Sequence, residues 1–460
     1  LVYYFSKDIF IFSSEIKSIL NYVKNIKVNI NAVNEFFTRR FIPATKTIYN
    51  NTYKLKKGTF LEYNITNKNY KIIQFQNKYF SNNESIENKI KSIKNKFKET
   101  VKSHLLSDVP ISLMLSGGVD SSILAKVCKD LNEDITSFTL ATSKDKTDPD
   151  QDYIYAKAVC DKLNIKNNFI YVENINKYEI IDIISYLDEP YCDPAFISSA
   201  ILLKEIGKNY KVSLSGDGAD ELFYGYYSYQ KIASKKFFFK NKIDLSYLYL
   251  LSVKIKSFIN YFENDYINNY THNYYGLPIS LLKKIFKRNI VLDPPVPDSF
   301  KQTRSRDYDI DVNLPDYYLN RLDKAGMMNS VEVRVPFCDI ELFKFVNAIN
   351  YNDHTENING KVRGKKVLRS IYENDLPKGI FTRKKQGFKR NLNDIVGKKV
   401  IEELYDNYVN KEVAELLNIS KFYQKIIKNY PNSIAFQLKW RLLVFGIWFE
   451  NNKHSIEWQN

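Results

Sequence analysis

The chain has 460 residues, a net charge of +16 at pH 7 and an apolar fraction of 44%, enough for the cores of about two or three domains. No apolar run reaches the roughly 18 residues that a membrane-spanning helix needs. The 4 cysteines include no C-x-x-C pair, which argues against a thiolate metal site or a disulfide framework. These features predict a cytoplasmic globular protein that has no membrane partner.

The basic charge is the one feature that could indicate a nucleic-acid partner, because basic surfaces release counterions from phosphate backbones. The lysines are interspersed with Asn, Ile, Tyr and Phe, as in residues 91–98, and no DNA-binding or RNA-binding motif accompanies them. We therefore interpret the charge as a solvated basic surface and expect no nucleic acid to bind.

Residues 1 to about 75 alternate short apolar runs with turns, which is typical of the edge of a mostly β domain. Leu1 to Phe5 reads as the second strand of a hairpin whose partner is absent. This pattern predicts that the sequence starts inside a domain, which we bound at residues 1–78.

A long amphipathic helix is predicted to open the second domain, residues 81–460. Ser81 and Glu84 have the spacing of a capping box, and apolar residues follow at intervals of three and four from Ile86 to Leu105.

From Val109 onward, apolar strands and helices alternate. Such alternation favours a parallel sheet with helices on both faces, and ligands of such sheets bind beyond the carboxyl ends of the strands. After Pro315 the pattern is helical to the end, and Trp440 to Trp448 are expected to be buried in the last helix. The predicted strands are 111–115, 135–140, 169–172 and 211–214, and the predicted helices are 122–131, 152–163, 179–187 and 198–206.

The segment Ser116 to Ser122 follows the first of these strands and opens a helix. Its two glycines allow backbone N–H groups to surround an anion, and its serines supply hydroxyl donors at a helix N-terminus. It lacks the Gly-Lys-Ser/Thr ending of a Walker loop, so it suits pyrophosphate, with Asp120 available for a magnesium ion. An ordinary glycine turn is the alternative interpretation, and the serines and the aspartate argue against it.

A second cluster, Ser215 to Phe223, follows a later strand and contains three carboxylates. These would repel one another unless a cation or a basic group shared the site. Asp217 and Asp220 are predicted to point inward, and the alternative is a solvated acidic turn that caps a helix.

Together the two clusters resemble the asparagine synthetase family, and the resemblance covers nearly the whole chain. Residues 12–20 and 41–48 are similar to the closing part of that family's glutaminase domain. The other matching segments are Leu187 to Pro194, Asp323 with Met327, Ser330 to Asp339, Lys365 to Arg369, and Arg383 to Phe388.

The resemblance implies an α/β fold of the PP-loop ATP pyrophosphatase (adenine-nucleotide α-hydrolase-like) type at residues 81–460. Before it lies the partial β-rich end of an Ntn-type glutaminase, a type 2 glutamine amidotransferase domain. We expect that glutaminase to be truncated, because its nucleophilic cysteine and its other active-site residues would precede Leu1.

The resemblance also implies ATP and Mg²⁺ as cofactors, with aspartate converted through β-aspartyl-AMP by ammonia, or by glutamine in the complete protein. Asp217 and Lys365 would be catalytic, and Asp120 and Asp220 would hold Mg²⁺. A homodimer is compatible with the pattern. The expected ATP and pyrophosphate ligands are Leu115, Ser116, Gly117, Gly118, Asp120, Ser121, Ser122, Ser215, Gly216 and Lys385.

Three alternatives remain open at this point. The same chemistry could act on another carboxylate, such as a sugar acid of a surface polysaccharide or a β-lactam precursor. The chain could be a non-catalytic nucleotide-binding relative, or an RNA-modifying ligase.

Three residues, Tyr224, Asn391 and Ile395, replace the Gly, Pro and Trp that are common in the family, and these changes could alter the acceptor pocket. Without the family, Glu332 and Arg334 read as a structural ion pair.

Overall fold

A computed structural model describes residues 1–458 except 8, 76–84, 133, 142–150, 173–174, 227–228, 230–273, 296–301, 359–360, 383–394 and 430–432. Among these residues no helix is both long enough and apolar enough to cross a membrane.

The amino-terminal region, residues 1–75, contains both strands and helices. Its elements are β1 (Val2–Phe5), β2 (Phe10–Ser13), α1 (Ile16–Leu20), β3 (Ile26–Lys27), α2 (Ile30–Arg39), β4 (Thr52–Lys54), β5 (Thr59–Asn64) and β6 (Asn69–Gln74). Strand β1 is central in an antiparallel sheet, with β2 on one side and β4 on the other. The expectation that its pairing partner is absent is therefore wrong.

Helix α2 was not predicted from the apolar runs of this region. The Asn29 side chain accepts a hydrogen bond from the Ala32 amide at 3.2 Å and so caps the helix. The cap precedes an apolar face that includes Val33, Phe36 and Phe37, all of them buried.

Helix α3 (Ile86–His104) confirms the predicted amphipathic helix, with Ile93, Phe97 and Val101 buried. The Ser85 hydroxyl accepts the Asn88 amide at 3.3 Å and caps it. The predicted capping box at 81–84 lies outside the described residues.

The strand–helix alternation that follows is close to the prediction. Its elements are β7 (Ile111–Met114), α4 (Val119–Asp130), β8 (Thr136–Ala141), α5 (Gln151–Leu163), β9 (Asn167–Tyr171), α6 (Lys177–Ser185), α7 (Pro194–Gly207), β10 (Val212–Leu214) and α8 (Ala219–Leu222).

The rest of the described chain is mostly helical. It contains α9 (Ile279–Phe286), α10 (Gln302–Tyr308), a π-helix (Asp309–Leu319), α11 (Asn320–Met328), β11 (Glu332–Arg334), a 3₁₀ turn (Pro336–Cys338), α12 (Ile340–Asn347), α13 (Tyr351–His354), β12 (Glu356–Ile358), β13 (Lys361–Arg363), α14 (Lys366–Tyr372), α15 (Lys398–Tyr408), α16 (Lys411–Leu416), α17 (Lys421–Asn429), α18 (Ser433–Asn452) and β14 (Ile456–Glu457).

The prediction that the chain is helical throughout after Pro315 is wrong, because four strands, β11 to β14, occur there. Strand β11 is three residues long at the edge of the main sheet, too short for an alternating pattern to reveal it. Strand β14 pairs with β3 of the amino-terminal region. The expected burial of Trp440 and Trp448 in the last helix is confirmed.

The main sheet has five parallel strands in the order β11-β10-β7-β8-β9. Because β7 side chains alternate between its faces, Met114 joins one apolar core and Leu113 and Leu115 join another. The first core also contains Phe36 of α2 and Trp448 of α18, so the amino-terminal region packs on the carboxyl-terminal helix. The neighbouring strands β7 and β10 deliver both predicted clusters to one edge of the sheet.

Candidate active site

The loop between β7 and α4 is folded around its own hydroxyl groups. Gly117 has a φ of +64°, and a Cβ there would lie 2.4 Å from the Ala156 nitrogen, so a side chain cannot be accommodated. The Gly118 amide donates to Ser116 Oγ, and the Ser116 amide donates to Ser121 Oγ, both at 3.3 Å. The loop leads directly into the N-terminus of a 12-residue helix, and the dipole of that helix favours an anion at this point.

Two of the predicted loop residues face the interior. Leu115 is buried, and its backbone bonds to Phe138 and Thr139 of β8. The Ser122 hydroxyl is also buried and has no hydrogen-bond partner among the described residues. Ser116 and Gly118 are partly exposed, so they form the accessible part of the loop.

The loop after β10 packs directly against the first turn of α4. A Cβ at Gly216 would lie 2.9 Å from the Ser121 nitrogen and 3.1 Å from Asp120 Cβ. Glycine thus permits a backbone approach that any other residue would obstruct. This approach brings Asp120 and Asp220, 100 residues apart in number, to one point.

That point is occupied by the ammonium of Lys365, which arrives from the start of α14. Its Nζ lies 2.6 Å from both carboxylate oxygens of Asp120 and 2.6 Å from Asp220 Oδ1. Burial lowers the pKa of Lys365, but the two carboxylates outweigh it and raise the pKa above its ordinary value. Lys365 is therefore a cation at neutral pH. We call Asp120, Asp220 and Lys365 the lysine cluster.

Asp217 has different partners from Asp220. Its two carboxylate oxygens accept hydrogen bonds from Ser215 Oγ at 2.5 Å and from Arg321 Nη2 at 2.7 Å. Nη1 of the same guanidinium lies 3.3 Å from Asp193 Oδ2. Burial lowers the pKa of Arg321, yet Asp217 and Asp193 raise it overall. We call Asp193, Asp217 and Arg321 the arginine cluster.

Sequence reasoning missed Arg321 as a site residue. It lies on the buried face of α11, beside Leu322 and Ala325. A basic residue on the apolar face of an amphipathic helix signals a buried carboxylate partner, and this signal could have identified it. Asp193, the other carboxylate that pairs with Arg321, lies in the segment Leu187 to Pro194, which resembles the family.

The third carboxylate of the second cluster points away from the site. Glu221 is buried, which together with nearby Asp220 raises its pKa to about 8, although the Tyr226 hydroxyl donates to it at 2.7 Å. Glu221 is therefore mostly protonated at neutral pH, and Asp217 and Asp220 are the two carboxylates that reach the site.

The segment around Glu332 and Arg334 is structural in this fold. Arg334 pairs with Glu332 at 2.8 Å and donates to the carbonyls of His104 and Leu106, at the end of α3. The interpretation of these two residues as a structural ion pair is therefore supported. Asp339 caps α12 through the amides of Glu341 and Leu342.

Two of the three departures from the family pattern can be placed. Tyr224 has a φ of +55° and is buried against Tyr351 and His354, next to Gly225. Ile395 is also buried. Asn391 and the predicted ligand Lys385 lie outside the described residues.

The carboxylates of the lysine cluster are the groups that could hold a divalent cation in this site. No group of three or more His, Cys, Asp or Glu side chains that could hold a metal occurs in the described part of the chain. Mg²⁺ in nucleotide sites is commonly held by one or two carboxylates, together with phosphate oxygens and water. The converging carboxylates of Asp120 and Asp220 fit that donor set.

Two family models match this chain. The family model described as "Asparagine synthase" matches residues 92–450, and the one described as "Glutamine amidotransferase domain" matches residues 1–79. An NH3-dependent NAD synthetase from Campylobacter jejuni covers 55% of this chain and 99% of its own at 14% identity, with a TM-score of 0.23, too low to support any argument.

Two curated relatives carry related names. Asparagine synthetase [glutamine-hydrolyzing] 1 of Bacillus subtilis is 27% identical over 96% of this chain and 72% of its own length. Putative asparagine synthetase [glutamine-hydrolyzing] 2 of Methanocaldococcus jannaschii is 34% identical over 49% of this chain and 44% of its own. Since the first family model spans well over half of the sequence, the chain belongs to the asparagine synthase family.

Proposed function

We propose that this chain is an ATP-dependent amide ligase that converts aspartate to asparagine through β-aspartyl-AMP and releases AMP and pyrophosphate. The observation that carries the proposal is the meeting of two strand-end loops at Lys365, within a chain of the asparagine synthase family. An adenylating enzyme needs an anion cradle and a cation beside the reacting phosphate. The loop at the start of α4 is proposed to supply the cradle, and Lys365 the cation.

The first chemical step is the attack of the β-carboxylate of aspartate on the α-phosphorus of ATP. The bond from that phosphorus to the bridging oxygen breaks, and pyrophosphate leaves. The residues proposed to hold ATP and pyrophosphate are Ser116, Gly117, Gly118 and Ser121, with Ser215, Gly216 and Lys385. Leu115 and Ser122, whose side chains face the interior, are proposed to support this loop from below.

Lys365 is proposed to stabilise the negative charge that builds on the α-phosphate oxygens. Its ammonium is held by Asp120 and Asp220, so to bind a phosphate oxygen it would have to give up at least one of these carboxylate contacts. Asp120 and Asp220 would then be available to Mg²⁺, which when bound neutralises charge on the phosphates.

Amidation is proposed to follow at the same edge of the sheet. Ammonia attacks the acyl carbon, the bond to AMP breaks, and the nitrogen loses a proton. Asp217 is proposed to take that proton, because it is the carboxylate of the second cluster that reaches the site without contacting Lys365, and its side chain is 25% exposed.

The amino-terminal region is proposed to derive from a glutaminase of the Ntn type. The amidotransferase match over residues 1–79 supports this, as do relatives named as glutamine-hydrolysing.

The test of the proposed function is product analysis with aspartate, ammonium, Mg²⁺ and ATP. We expect asparagine, AMP and pyrophosphate in equal amounts, and Asp120→Ala should abolish all three. Formation of ADP and phosphate would refute the mechanism. A panel that includes sugar acids, scored by pyrophosphate release, tests whether aspartate is the preferred carboxylate.

A further inference from the structure

The arginine cluster joins two segments that sequence reasoning treated separately. Arg321 Nη1 lies 3.3 Å from Asp193 Oδ2, and Arg321 Nη2 lies 2.7 Å from Asp217 Oδ1. The Arg321 and Asp193 side chains are 9% and 6% exposed, whereas that of Asp217 is 25% exposed. The cluster therefore runs from the protein interior to a carboxylate at the surface of the site.

The neighbouring residues fix the orientation of the Arg321 guanidinium. Asp193 caps α7, since its Oδ1 accepts the Ala195 amide at 2.9 Å, and this orients its other oxygen toward the guanidinium. Because a guanidinium is planar, holding one nitrogen on Asp193 determines where the other can donate. The ring of Tyr318 lies 6.0 Å from the guanidinium carbon and forms a further boundary.

The helix that carries Arg321 is anchored on its other side. Lys324, three residues later, donates to Asp188 Oδ2 at 3.2 Å. The carboxylate of Asp188 also accepts the amides of Ile16 and Lys17 at 3.1 Å and so caps α1. Helix α11 is therefore held between the amino-terminal region and the site.

We propose that Arg321 is a positioning residue for the amidation step, acting through Asp217. It holds the Asp217 carboxylate in one orientation, ready to receive the proton that the attacking nitrogen loses when the carbon–nitrogen bond forms and AMP departs. Adenylation does not use this proton transfer, so Arg321 affects only the second step. The inference rests on the proposed function.

Loss of Arg321 would also leave the buried carboxylate of Asp193 without its cation. An uncompensated buried charge destabilises a protein, so a glutamine at this position tests folding as well as catalysis. Two milder variants separate these effects. Arg321→Lys keeps the charge but cannot donate in two fixed directions. Asp193→Asn keeps an acceptor able to cap α7 but removes the negative charge that orients Arg321.

The experiment compares two rates on full-length protein. Aspartate-dependent exchange of labelled pyrophosphate into ATP reports adenylation, and ammonium-dependent asparagine formation reports both steps. In Arg321→Gln we expect asparagine formation to fall by about 100-fold, the lower range for loss of positioned acid–base catalysis, while exchange stays within about threefold. Arg321→Lys and Asp193→Asn should show the same split with a smaller fall.

Lys324→Gln is the matched control, since it removes a cation from the same helix without touching Asp217. It should leave the ratio of the two rates unchanged. A parallel fall of both rates in the Arg321 and Asp193 variants would overturn the inference, as would unchanged asparagine formation. If Arg321→Gln does not fold, the two milder variants decide the question. If the unmodified protein forms no asparagine, AMP and pyrophosphate, the proposed function itself is refuted.

Discussion

The lysine cluster and the arginine cluster have the same composition, two carboxylates around one cation, but the cations differ in kind. Lys365 is a point charge on a flexible stem, held 2.6 Å from Asp120 and Asp220 by contacts that it can exchange for phosphate oxygens. Arg321 is a planar fork between Asp193 and Asp217. This contrast fits the proposed roles, in which Lys365 exchanges a carboxylate for a phosphate oxygen and Arg321 holds the Asp217 carboxylate in place.

The largest effect that would test this contrast is expected for Lys365→Met. If Lys365 stabilises the charge on the α-phosphate as proposed, its loss should lower pyrophosphate exchange and asparagine formation together by about 1,000-fold. The Arg321 variants, in contrast, are expected to keep pyrophosphate exchange and to lose asparagine formation. Lys366→Met is the matched control, because Lys366 is the next residue and is exposed. A variant of Lys365 that kept exchange but lost amidation would remove the distinction between the clusters.

The second effect concerns the close contact between the loop after β10 and the first turn of α4. In Gly216→Ala the added Cβ would lie 2.9 Å from the Ser121 nitrogen, so the loop after β10 must move away from α4. We expect a loss of about 1–3 kcal/mol in the free energy of unfolding, with both rates reduced. In the control Gly58→Ala, where the added Cβ meets nothing within 4 Å, only backbone strain at φ +65° should act, and activity should persist. Unchanged activity in Gly216→Ala would show that the loop spacing is not critical.

A third prediction uses Glu221, the buried carboxyl group next to the lysine cluster. Its pKa is raised from 4.5 to about 8 in the folded protein, so the folded state binds a proton that the unfolded state releases above about pH 4.5. Its contribution to stability is therefore complete below pH 4.5 and is lost as the pH rises through about 8. Urea unfolding from pH 5 to 8 should show a steeper loss of stability for the unmodified protein than for Glu221→Gln. Equal slopes would contradict the raised pKa.

The smallest effect on activity is expected at Asp188, which joins helix α11 to the amino-terminal region. Asp188→Ala removes the cap of α1 and the partner of Lys324, and should lower the free energy of unfolding by about 1–3 kcal/mol. Asparagine formation should fall less than in Arg321→Lys, because Asp217 keeps its guanidinium. Glu332→Ala, which removes the exposed carboxylate of the ion pair with Arg334, is the control and should change stability by no more than about 1 kcal/mol.

The residues of the lysine cluster were predictable because each lies in a local pattern. Asp120 follows a strand and two glycines, Asp220 follows another strand, and Lys365 stands in a segment that resembles the family. The periodicity of apolar residues also predicted the parallel sheet, since buried strands and amphipathic helices are local consequences of burial. Roles for these residues remain proposals that the experiments above address.

The sequence alone thus determined the α/β pattern, the two strand-end clusters and the family resemblance, because these depend on contiguous residues. Only the tertiary structure decided that Lys365 bridges Asp120 and Asp220, that Arg321 joins Asp193 to Asp217, and that Glu221 points away. The physical reason is that ion pairs between distant segments depend on how strands and helices pack. A buried arginine and a solvated one look alike in a sequence until the surrounding helices are placed.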